Sequence, residues 1–185
     1  MRKVLFIFGD LSDGDIEWLA AVGERKNFHT GSVLIEEGKP IEEVYILLDG
    51  QLSVLVKSHK SDERIATLHK GEIVGELSFL DSRPPSATVV AAADSIVLAI
   101  SRDKLRAKLE RDMAFAAKFY RALGVFLAGR LRNTMQWLGF GSSDSLRVED
   151  QAADEIDPEL LGSVSIAAKR FELLVERFKT ANSSK

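Results

Sequence analysis

The chain has 185 residues, 45% of them hydrophobic, a formal net charge of −3 and no cysteine. That length and apolar content suit one domain with an appendage, while the missing cysteines exclude disulfides and thiolate metal sites and the mild acidity leaves no overall nucleic-acid footprint. No apolar run reaches the ~20 residues that cross a bilayer, and the run Val4–Phe8 stops at Gly9-Asp10, short of the ~7–15 residues of a secretory h-region; the chain is expected to be cytoplasmic, with no membrane partner.

The first predicted element is a helix over about Asp13 to Val22. Ser12 stands as its N-cap with Asp15 three positions on, a variant of the capping box, and Ile16, Leu19, Ala20 and Val22 follow at helical spacing. Trp18 lies off that stripe and is expected to pack on a neighbouring element. From Arg25 to Ile100 the period changes. Ser32–Ile35, Glu43–Leu48, Leu52–Val56, Arg64–Leu68 and Ser95–Ile100 are short runs rich in Val, Ile and Leu. Gly31, Gly38, Gly50 and Gly71 separate them at intervals suited to tight turns, Asp49-Gly50 most sharply. Regularly spaced short strands imply an antiparallel sandwich or roll rather than a parallel sheet.

Within this region the stretch Gly71–Ala92, GEIVGELSFLDSRPPSATVVAA, has the layout of an anion cradle: strand, Gly-Glu turn, about one helical turn, Pro-Pro corner, β-branched strand. Gly75 lets backbone approach a ligand, and the amides of Leu77 to Leu80 are expected as free donors at the start of the short helix. Glu76 beside an anion makes no sense as its ligand but does as acceptor for a sugar hydroxyl. Arg83, Ser86 and Thr88 are further candidates, as a cation and two hydroxyls; each equally suits a solvent-facing loop or a strand. A small roll is also compatible with a cupin-like metalloenzyme, but His29, His59 and His69 are isolated from one another and from any convergent carboxylate set, so neither a metal nor catalysis is expected.

Beyond Ile100 helical spacing returns. Ser101 is placed to cap a helix from Arg102 to about Arg111, and a long helix then runs to Leu138 with a stripe of Phe115, Phe119, Leu123, Phe126, Leu127, Leu131, Thr134, Met135 and Leu138. The stripe is longer than one small roll can cover. Leu138–Ser143 reads as a hinge, and between Asp144 and Glu159 lie seven acidic residues and one Arg, an acidic linker expected to fold back along the helical stretch Arg102–Leu138, which carries nine basic and three acidic side chains. Asp157-Pro158-Glu159 is a helix start. Leu160, Leu161, Val164, Ala167, Ala168, Phe171, Leu174, Val175 and Phe178 then form a second amphipathic stripe, which must pack on its own domain, on a dimer mate or on another protein. Residues 139 to 185 hold no helix-turn-helix pair and nine acidic against six basic residues, so DNA binding is not expected.

Gly75-Glu76-Leu77-Ser78-Phe79-Leu80 followed by Pro84-Pro85-Ser86-Ala87-Thr88-Val89 resembles the phosphate-binding cassette of cyclic-nucleotide-binding domains, the family of the catabolite activator protein, the regulatory subunits of cyclic-AMP-dependent kinase and cyclic-nucleotide-gated channels. The likeness covers roughly Asp10 to Leu138. It implies an α+β, mainly β fold: an antiparallel double-stranded β-helix (a β-roll, jelly-roll-like) with an N-terminal helix and C-terminal helices. The expected division is a domain with a long C-helix over 1–138, an acidic linker over 139–157 and an amphipathic helix over 158–182. The resemblance further implies a cyclic nucleotide ligand (cyclic AMP or cyclic GMP), with Glu76 on the ribose 2′-hydroxyl, cassette amides on the phosphate, and Gly75, Leu77, Ser78, Ser86, Ala87 and Thr88 around it. It implies a homodimer through 111–138, leaving 158–180 for a protein partner.

One departure stands out. The Arg that neutralises the phosphate in the family falls on Pro85. Losing one partner of a buried charge-assisted pair costs ~2–5 kcal/mol, roughly thirtyfold to a few thousandfold in affinity, unless Arg83 substitutes. The reading is therefore a stand-alone sensory module whose occupied cassette moves its C-terminal helices. The alternatives are a ligand-free interaction scaffold and a truncated relative of the catabolite-activator regulators.

Overall fold

The computed structural model describes residues 9–57, 62–137 and 158–180. Helix α1 (Asp13–Val22) starts with the expected box: the Ser12 hydroxyl accepts from the Asp15 amide at 3.3 Å while Asp15 Oδ2 accepts from the Ser12 amide at 2.7 Å. Eight strands follow: β1 (Glu24–Phe28), β2 (Val33–Ile35), β3 (Glu43–Asp49), β4 (Leu52–Lys57), β5 (Asp62–Leu68), β6 (Ile73–Val74), β7 (Thr88–Ala91) and β8 (Ser95–Ser101), with α2 (Glu76–Asp81) between β6 and β7. They form two four-stranded sheets, β1-β8-β3-β6 and β2-β7-β4-β5, in which every pairing is antiparallel. This is the β-roll the sequence implies. Strand β1 is the one element without a hydrophobic signal: its sequence, ERKNF, is that of a polar edge paired only to β8.

The period of 2 sorts the core into two layers. From β3 and β8, Tyr45, Leu47, Val97 and Ala99 point into the roll, where they meet Leu34, Ile35, Leu52, Leu68, Val74 and Val89. Val44, Ile46, Leu48, Leu98 and Ile100 point the other way, onto the helices. Both strands are buried on two faces, which is why they read as continuous apolar runs.

Helix α3 (Arg102–Arg111) continues directly from β8. Ser101 makes no side-chain cap, contrary to the sequence expectation; the first amide of the helix, that of Arg102, donates instead to Glu42 O at 2.9 Å. Helix α4 (Met113–Trp137) buries Phe115, Phe119, Ala122, Leu123 and Phe126 against the β1-β8-β3-β6 sheet and its neighbours, and Trp18 meets Phe115 edge-on at 5.6 Å. The stripe is only half used, for Leu131 is 61% and Met135 49% exposed. Helix α5 (Pro158–Thr180) takes the first of the three options left open by sequence. Its Ala167 and Leu174 are buried with α1 and α4, Arg170 Nε donates to Asp13 Oδ1 at 2.6 Å, and Arg25 Nη1 donates to Phe178 O at 2.7 Å. The expected hinge and acidic linker (138–157) lie outside the described residues, as does Leu138.

Candidate ligand-binding site

The cassette is positioned by backbone conformation. β6 pairs with β3 (Tyr45 opposite Val74) and ends at Gly75, whose φ of +86° turns the chain into α2. A side chain there is disfavoured on two counts. The conformation is left-handed, and a Cβ would stand 2.8 Å from Ile41 Cδ1 and 3.2 Å from Glu43 O. The fold alone therefore favours glycine at 75, alongside the ligand approach that the sequence reading assigns to it. Ser82, with φ +60°, closes α2. The Pro-Pro corner is tied back by the Gly38 amide, which donates to Pro85 O at 2.8 Å. Arg102 holds α2 in place, Nη1 donating to Ile41 O and Nη2 to Ser78 O, both at 2.7 Å.

Between α2 and the corner lies a cavity of about 80 Å³. Its lining comprises Gly75-Glu76-Leu77-Ser78 from the junction of β6 and α2, Pro85-Ser86-Ala87 from the corner, Ile35, Val54, Val74 and Val89 from the strands, and Arg130 from α4. Six of the eight residues singled out by sequence therefore meet at one place. The other two lie outside this lining. The Arg83 amide donates to Asp81 Oδ1 at 3.0 Å and its guanidinium sits 3.9 Å from the same carboxylate, on an 84% exposed side chain. Thr88 Oγ1 accepts from the Glu37 amide at 3.1 Å. The free amides expected at 77–80 are not all free, since the Phe79 amide donates to Gly75 O at 3.1 Å as the first turn of α2 closes.

Glu76 is 2% exposed. Burial pushes its carboxyl above the usual range, with Arg130 opposing that rise; burial likewise raises Glu72 against the pull of Arg130. Arg130 Nη1 donates to Glu76 Oε1 at 2.5 Å and Nη2 to Ile73 O at 3.4 Å, Glu72 Oε2 lies 3.8 Å away, and the guanidinium rests 4.5 Å from the centre of the Phe126 ring. Among the described residues Arg130 is the one cation in the lining. Sequence reasoning missed it, although it falls three residues after Leu127 and four after Phe126, a charge set inside an apolar stripe. No group of three or more His, Asp or Glu among the described residues has the arrangement of a metal site, and no described helix is long and apolar enough to cross a membrane.

Comparison with known proteins converges on one family. The cyclic nucleotide-binding domain family matches residues 25–112. The cAMP-activated global transcriptional regulator CRP of Escherichia coli is 29% identical over 130 residues, covering 69% of this chain and 60% of that protein. A cGMP-dependent protein kinase of Toxoplasma gondii is 28% identical over 110 residues, 59% of this chain but 11% of the kinase. The chain thus spans less than two thirds of the length of these relatives. Among solved structures, a cyclic nucleotide-binding domain from Methylobacillus flagellatus superposes with a TM-score of 0.66 at 25% identity, over 72% of this chain and 79% of that one. Residues 25–112 thus match the cyclic nucleotide-binding domain family in sequence, and the fold is similar to that of a solved cyclic nucleotide-binding domain.

Proposed function

We propose that the chain is a regulatory module that takes a cyclic nucleotide, cyclic AMP or cyclic GMP, in the cassette and passes occupancy on to its C-terminal helices. The observation that carries this reading is Glu76: a carboxylate 2% exposed in the cavity lining must be met by a donor, a part that Arg130 plays in this structure and that a ribose hydroxyl is suited to take over. Ser78, Ser86 and the amides around Gly75, Leu77 and Ala87 are the groups for the cyclic phosphate, with Arg83, two residues before the family's Arg position, as the substitute cation and Thr88 as a further hydroxyl from the corner. A ligand that binds one position of α4 better than another shifts the helix population. The outer turns of α4, with Leu131 and Met135 exposed, are the surface for a second copy through 111–138, and Ile166 and Leu173 on α5 the surface for a protein partner through 158–180.

Thermal denaturation with cyclic AMP and cyclic GMP up to millimolar concentration tests the reading. One nucleotide raises the melting temperature, Glu76→Ala abolishes the rise, and Arg83→Ala decides whether that residue supplies the counter-charge. A wild-type protein silent to both nucleotides overturns the proposal. It would favour the second reading, a ligand-free interaction scaffold, which Pro85 at the family's Arg position supports.

A further inference from the structure

At about 80 Å³ the cavity is several times smaller than the ~300–1,000 Å³ of sites that enclose small molecules. A wall must move before a nucleotide enters. Most walls are fixed: Val54 and Val89 face each other in the β4–β7 ladder, Val74 is paired to β3, and α2 is clamped by Arg102. Arg130 belongs to a different kind of wall. The first half of α4 is anchored by buried phenylalanines, but from Leu131 onward the described side chains are exposed. Gly129 immediately precedes Arg130, and a Cβ there would meet nothing within 4 Å, so no packing demands a glycine. Glycine in a helix interior favours opening by about two- to fivefold over alanine.

We infer that Arg130 is a latch: it holds the last turns of α4 over the cassette by occupying Glu76, the acceptor that a ligand hydroxyl needs, and Gly129 is the bending point on which those turns release. Ligand and helix compete for one carboxylate, and that competition converts occupancy into helix movement. The inference rests on the nucleotide-binding reading of the site and names the contact through which the signal leaves it.

The test is hydrogen exchange on the full chain, wild type, Arg130→Gln, Arg130→Lys and Gly129→Ala, each also titrated with cyclic AMP and cyclic GMP. Arg130→Gln is expected to speed exchange in 127–137 while leaving 113–126 protected, and to tighten nucleotide binding about tenfold or more, the size of one charge-assisted hydrogen bond. Gly129→Ala slows exchange in 127–137 about two- to fivefold. Arg130→Lys, which keeps the charge but not the planar fork, falls between wild type and Arg130→Gln and carries the test if the latter does not fold. Unchanged exchange in 127–137 overturns the latch. Weaker nucleotide binding in both Arg130 variants overturns it too, since the guanidinium then grips the ligand rather than competing with it. If exchange changes as described while no protein binds either nucleotide, the latch stands and the nucleotide reading falls.

Discussion

The two halves of α4 are held by different physics. From Phe115 to Phe126 the helix is fixed by buried area: Phe119 touches Phe79 edge-on at 6.2 Å and stacks on Phe115 at 5.6 Å, and Ala122 and Leu123 are almost wholly excluded from water. From Leu131 onward its described side chains are exposed, and the junction is secured by the guanidinium of Arg130 on Glu76. Apolar burial is non-directional and is lost only by opening a void. An ion pair is directional and can be exchanged for another donor. One half of a single helix is therefore built to stay and the other to be replaced at its contact.

Phe119→Ala is expected to cost ~3–5 kcal/mol by cavity formation, read from denaturant unfolding; a loss below about 1 kcal/mol would mean the helix is not anchored there. At the junction, Arg130→Ala leaves a buried carboxylate without its counter-charge. Breaking a buried pair costs ~3–5 kcal/mol, reduced here to about 2 kcal/mol because the Arg130 side chain is 31% exposed and Glu76 can take up a proton. Adding Glu76→Gln to that variant recovers most of the loss, and strict additivity of the two changes would show that the residues do not interact.

The same junction has a signature in pH. Glu76 and Glu72 are raised above the ordinary 4.5, by burial against the opposing pull of Arg130. The folded state therefore holds the extra proton in the window above 4.5, and the contribution of these groups to stability falls as pH rises through it. Asp15 runs the other way: burial works to raise it, but the Ser12 hydrogen bonds and Lys118 outweigh that and lower it below 3.8, so its contribution is lost as pH falls toward that lowered value. Subtracting the stability of Glu76→Gln from that of wild type should leave a difference that declines with rising pH above 4.5; a flat difference contradicts the assignment. Smaller still, Ser12→Ala removes one side of the capping box and is expected to cost about 1 kcal/mol. Leu131→Ala and Met135→Ala should lie within ~0.5 kcal/mol in a monomer, and a larger loss that grows with protein concentration would place a second copy on that face.

Much of this was legible in the residues. The glycines at strand ends, the capping box at Ser12 and the six residues from Gly75 to Ala87 that line one cavity all follow from local rules of conformation and period, and such rules act within a few positions of each other. What escaped was long-range. Strand β1 has no apolar alternation because it is an edge, and its pairing with β8 spans some 70 residues of sequence, from Glu24 opposite Ala99 to Phe28 opposite Ser95. Arg130 reaches Glu76 across a separation of 54. Nothing local announces that contact except a cation where the helical stripe calls for a hydrocarbon. Arg83 shows the converse: proximity in sequence to the cassette did not bring its side chain into the lining.

The hydrogen bond from Arg25 to Phe178 O bears on how the chain reaches this structure. It joins residues 153 apart, so closing it carries the entropy of a loop nearly as long as the whole chain. Local helices and hairpins form long before such a contact has a favourable balance. During synthesis, at ~5–20 residues per second, the roll is complete while α5 is still to emerge, and the apolar face of α1 around Ile16 and Leu19 waits uncovered for its last neighbour. Docking of α5 is thus a late step that covers the side of α1 the roll leaves open.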